Sequence, residues 1–147
     1  MRIEAADYVE AAQERLSNAK LLYEAAQYAF TLYAADVAVE SLLRAYIAKL
    51  DPILETGHNL PLLLQASKLH DIVTPRESEL IDVSLVTLTR RWKNDLRYTS
   101  NQRLRRRLKK LKLDRGIRGD FLKENCRIAI EMAATILKIG VPKWKPS

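Results

Sequence analysis

The 147-residue chain holds only four glycines, none before Gly57, and five prolines. An all-β fold needs turn residues at short intervals, so this scarcity argues against that class. The one cysteine, Cys126, excludes an internal disulfide framework and a cysteine-based zinc site. There are two histidines, His58 and His70, lying 12 positions apart, too far for one helix face to pair them as metal ligands. No uncharged apolar run approaches the roughly 18 residues of a membrane-spanning helix. The opening Met1-Arg2-Ile3-Glu4-Ala5 carries an early acid and no continuous apolar stretch of signal type, so a cytoplasmic location is expected. The phosphate loops GxxxxGKS/T and GxGxxG, the metalloprotease HExxH and the GxSxG elbow are all missing. The carboxylates are scattered, with no pair set apart for acid–base work.

What is abundant is apolar and basic. Hydrophobic residues make up 48% of the chain, enough to bury the core of one domain spanning 1–147. The formal charge of +7 is unevenly spread. Between Arg90 and Arg118 stand 13 basic residues opposed only by Asp95 and Asp114, a net +11, which leaves −4 for the remainder. A mildly acidic body with one strongly basic segment implies an anionic partner meeting one side of the molecule.

Helical periodicity runs through the chain. Val9, Ala12, Leu16, Ala19, Tyr23 and Ala26 recur at alternating steps of three and four, predicting an amphipathic helix over 5–26. A second helix, about 31–50, carries Ala34, Val37, Ala38, Ser41, Leu42, Ala45 and Tyr46. A turn is placed between them at 26–30, although no glycine or proline marks it. Asp51-Pro52 ends the second helix. His58 or Asn59 caps a short helix from Pro61 to about His70, and Thr74-Pro75 followed by Glu77 opens another. Ile81, Leu85, Leu88, Trp92 and Leu96 mark one face of that long helix. The last helix, about 120–139, turns Leu122, Cys126, Ala129, Ala133 and Ile136 inward and is expected to stop at Gly140 and Pro142. The fold class is therefore all-α, an antiparallel up-and-down bundle of about five helices. Between the last two, Leu104, Leu108 and Leu111 form a stripe that would dock on the bundle and turn its cations outward. That apolar face is narrow and lacks aromatics, which disfavours a membrane surface as the partner.

Three segments carry a family resemblance. Tyr33-Ala34-Ala35-Asp36-Val37-Ala38-Val39-Glu40-Ser41-Leu42-Leu43-Arg44-Ala45 resembles the A-x-x-A-x-E-x-x-L-K-A second helix of HEPN domains (higher eukaryotes and prokaryotes nucleotide-binding). Gly57-His58-Asn59-Leu60-Pro61-Leu62-Leu63 is similar to that family's T-H-x-L-x-x-L helix start. Trp92-Lys93-Asn94-Asp95-Leu96-Arg97-Tyr98 is similar to the R-Y-P element of many small prokaryotic members. The resemblance covers 5–139 in element order and implies an antiparallel helical bundle that often dimerises.

Many such proteins are metal-independent ribonucleases with Arg, four to six residues, then His. Here Gln102, Arg103 and Leu104 fill the histidine positions after Arg97, and no arginine stands at that spacing before His58 or His70. Histidine titrates near neutrality and these replacements do not, so the signature is missing. The expectation is a non-catalytic RNA- or nucleotide-binding protein without metal or cofactor, a homodimer through the Val9–Leu16–Tyr23 seam. Its implied partner is a minimal nucleotidyltransferase chain, as in toxin–antitoxin modules. The expected binding residues are Arg91, Lys93, Arg97, Tyr98, Arg103, Arg105, Arg106, Arg107, Lys109 and Lys110, with Arg forks on phosphates and Trp92 or Tyr98 available to stack on a base. Two alternatives remain open: a ribonuclease toxin with a noncanonical site around Arg97, and an interaction module whose cations meet an acidic protein. Trp92 also reads as a core residue, and Arg97 as a structural partner of Glu40.

Overall fold

The computed structural model describes residues 3–51 and 57–146. The helices are α1 (Ala5–Glu24), α2 (Tyr28–Leu50), α3 (Leu60–Ser67), α4 (Pro75–Thr89), α5 (Asn101–Lys110) and α6 (Phe121–Lys143). Two 3-10 turns, Leu69–Ile72 and Asn94–Tyr98, complete the described elements, and no strand occurs among them. The count is six rather than about five because the basic segment forms a helix of its own.

Helix α2 is the centre of the bundle. It is apolar nearly all round and buries both the small residues Ala34, Ala35 and Ala38 and the large Leu32, Leu42 and Leu43. α1 and α6 pack along it, α3 lies against it, and α4 packs on α6. The periodic seam of α1 faces inward: Ala12 and Ala19 are fully buried, with Leu16 and Tyr23 half-buried against the same core. The seam is thus packed largely within the chain, with Val9, Leu16 and Tyr23 each keeping part of their surface exposed. Ala26 is not part of the seam but of the turn.

That turn has no glycine, yet Ala26 adopts φ 58°, a left-handed conformation that costs about 1 kcal/mol for a residue with a Cβ. Asn101 secures it from across the fold. Its Oδ1 accepts from the Ala29 N–H at 3.0 Å and its Nδ2 donates to the Ala26 carbonyl at 3.2 Å. One side chain therefore ties the start of α5 to the α1–α2 turn.

Two helix ends differ from the periodicity. α4 begins as expected, with a reciprocal Thr74–Glu77 capping box, and buries Ile81, Leu85 and Leu88. It stops at Thr89, however, instead of carrying Trp92 and Leu96 on the same helix. Arg91 turns back to donate to the Thr87 carbonyl at 2.8 Å, satisfying an acceptor that the broken ladder leaves open. Trp92 then enters the core beside Tyr33, ring centroids 5.9 Å apart.

At the other end, α6 continues through Gly140 and Pro142 to Lys143. Gly140 is a packing contact and not a stop. A Cβ there would lie 2.6 Å from Leu42 Cδ2, and the Gly140 carbonyl accepts the buried Tyr46 hydroxyl at 2.6 Å. Pro142 falls in the last turn, where the hydrogen bond it cannot make would have gone to the carbonyl of the exposed Lys138. Leu122, Cys126, Ala129, Ala133 and Ile136 are all buried, as their spacing predicts. Burial pushes the Cys126 thiol well above its usual range, and its Sγ rests 3.4 Å from the Tyr28 carbonyl.

Candidate nucleic-acid interface

Ser100 caps α5 by accepting from the Arg103 N–H, and Leu104 and Leu108 anchor the helix in the core with no exposure. Leu111, expected to extend this stripe, is exposed instead. At the far end, Asn125 of α6 donates to the Leu113 carbonyl at 3.0 Å and pins the chain as it leaves the helix. With its apolar stripe fixed, α5 sorts its cations by angle. Arg103, Arg106, Arg107 and Lys110, at offsets of three, four and seven, share one face. With Leu96 and Thr99 they line a groove of about 530 Å³.

The other cations of the run do not share that face. Arg105 points the other way, 3.4 Å from Asp120 and over the Phe121 ring at 5.2 Å. Lys109 is exposed but outside the groove. Arg91 is buried on the Thr87 carbonyl and is not presented to a ligand, which corrects its place among the binding residues. Trp92, 2% exposed, is likewise core and not a stacking platform. Tyr98 is the opposite case: the residue is 85% exposed on the Asn94–Tyr98 turn, with Arg97 over its ring at 5.1 Å. Arg97 is exposed and does not pair with Glu40.

Glu40 belongs to a second site. Its Oε1 accepts from Arg44 at 3.1 Å and from His58 Nδ1 at 2.6 Å, and Arg44 also donates to the Gly57 carbonyl. His58 is therefore not the helix cap; Asn59 is, accepting from the Leu62 N–H at 3.0 Å. One turn before Glu40, on the same face, stands Asp36. His58, Asn59, Leu60, Pro61, Thr89, Trp92, Lys93, Asn94 and Asp95 surround it in a cleft of about 610 Å³. Asp36 is only 5% exposed and has no hydrogen bond or ion pair among the described residues. Burial, reinforced by the Glu40 charge, pushes its carboxyl up to about 7.

Lys93 falls into this cleft and not beside α5, so the Asn94–Tyr98 turn separates an acid-floored cleft from a cationic groove. Neither Asp36 nor Glu40 was singled out as a site residue by motif reading. The signal was present: two acids four apart in a stretch, 34–43, that otherwise holds only Ala, Val, Leu and one Ser. His70, outside both sites, meets Ser78 and, at 3.0 Å, Asp82. The described residues contain no group of three or more His, Cys, Asp or Glu side chains placed to hold a metal, and no helix long and apolar enough to cross a membrane.

No curated protein and no solved structure matches the chain. The sequence model of the HEPN domain matches residues 5–144, nearly the whole length and every helix from α1 to α6. The segment order that suggested the resemblance and the helical bundle built from it agree with that match: this chain belongs to the HEPN domain family.

Proposed function

We propose that this protein is a non-catalytic RNA- or nucleotide-binding HEPN protein whose α5 groove receives phosphates. The convergence of Arg103, Arg106, Arg107 and Lys110 on one groove carries this reading, since solvated cations repel one another and gain nothing from being gathered. The exposed Tyr98 on the adjoining turn adds a ring on which an unpaired base can stack. Reversing the charge of the groove face is the test, argued in the Discussion. A minimal nucleotidyltransferase chain, as found with relatives in toxin–antitoxin modules, is the protein partner we propose.

Two-fold pairing of the chain is part of the proposal, because it doubles the cationic surface. Light scattering at tens of micromolar is expected to give twice the chain mass of 16.9 kDa, and a single-chain mass would refute it.

A ribonuclease is the second reading, favoured by the cleft that brings His58 to Asp36 and Asp95. Against it, His58 Nδ1 is held by Glu40, and the Arg-to-His spacing of the family's nucleases is missing. Structured RNA incubated with the protein in EDTA is expected to stay intact. Cleavage that His58→Ala removes would make this chain an enzyme.

A further inference from the structure

A carboxylate almost wholly buried needs donors, and Asp36, 5% exposed at the floor of its cleft, has no hydrogen-bond or ion-pair partner among the described residues. The neighbouring acid, Glu40, is already engaged by Arg44 and His58, so the protein's own donors on that side are committed. The cleft that Asp36 lines has apolar walls from Leu60, Pro61 and Trp92. Its volume suits a small planar ligand. We propose that this cleft is a nucleobase pocket selective for guanine, with Asp36 receiving the two N–H groups of the base's Watson–Crick edge.

The donor pattern singles out guanine. Its N1–H and N2 amino group stand side by side and match the two oxygens of one carboxylate. Adenine and cytosine place a ring acceptor beside their amino group, and uracil flanks its single N–H with two carbonyls. Guanine O6, next along the edge, is an acceptor, and the Lys93, Asn94 and Asn59 side chains supply donors at the rim of the same cleft. The charged and titratable groups facing Asp36 are Glu40 on its own helix, His58 before α3, and Lys93 and Asp95 after α4. The Asn94–Tyr98 turn walls the cleft on one side and the cationic groove on the other, so base and phosphate sites adjoin. This inference rests on the reading of the chain as a nucleotide binder and names the base it selects.

Equilibrium binding of GMP, IMP and AMP separates the two claims. The unaltered protein should bind GMP about tenfold more tightly than AMP, with IMP, which lacks the N2 amino group, in between. Asp36→Asn should abolish or invert the preference, because a side-chain amide pairs with adenine's donor–acceptor edge. Equal or absent binding of GMP and AMP overturns the pocket, as does a GMP preference that survives in Asp36→Asn. The IMP comparison needs no variant to fold. Charge reversal on α5 should leave the base ranking intact while removing RNA binding, so failure of the groove and failure of the pocket give different results.

Discussion

Replacing Asp36 by asparagine is expected to stabilise the protein at pH 8 and to change little near pH 4. The folded carboxyl sits at about 7, against an ordinary value of 3.8, because burial and the Glu40 charge disfavour its ionised form. Between those two values the unfolded chain has released the proton that the folded chain still holds. Stability conferred by the protonated group is therefore complete below pH 4 and is lost as pH rises toward 7. The full loss is on the order of 4 kcal/mol, at 1.36 kcal/mol for each unit between the two values. Asparagine has the same shape and no such titration. Urea unfolding from pH 4 to 8 should show the two proteins diverging through that window and running parallel above it. Parallel profiles throughout would show that Asp36 is solvated or partnered.

An effect of that size is a large share of the 5–15 kcal/mol that typically holds a domain together. A side chain that weakens its own fold at neutral pH while facing a cleft has the energetic profile of a ligand-binding group. Ligand donors would then restore what burial takes away. The same residue thus links the stability profile to the base selectivity inferred above.

The helices were largely legible because each buries a stripe that repeats at three and four. Thr74 and Glu77 announced the start of α4 by local chemistry alone, and α6 turned the expected five side chains inward. What escaped notice depends on partners distant in the chain. Ala26 tolerates a left-handed conformation because Asn101, 75 residues away, bonds its carbonyl. Gly140 looks like a terminator until Leu42 is seen against it. α4 ends early without a breaker residue because Trp92 is drawn beside Tyr33. The sequence leaves the cap of α3 open between His58 and Asn59 because the partner that claims His58, Glu40, lies on another helix. That the run divides needed no structure: successive residues on a helix turn by about 100°, so a basic run longer than one turn cannot present all its cations to one face.

That angular sorting yields the last expected result. Changing Arg103, Arg106 and Lys110 together to Glu should lower RNA affinity at least about a hundredfold near 0.1 M salt, since three attractive contacts become repulsive. If the unaltered protein releases counterions at these positions, its log–log salt slope carries roughly −0.7 for each contacted phosphate of a single strand, and the variant's slope should be shallower by about 2. Arg107 is left in place because its Nε is buried without a partner, so changing it would confound binding with folding. The control is Arg105→Glu. It sets a second acid beside Asp120 and removes the cation over Phe121, so it should disturb the junction of α5 and α6 more than RNA binding. Helicity measured alongside distinguishes the two outcomes. A loss in log affinity from Arg105→Glu about one third of that from the three-residue variant, in proportion to the charge changes, would mean that binding senses total charge and not the groove. Unchanged affinity in the three-residue variant would reduce the basic segment to a solvated face.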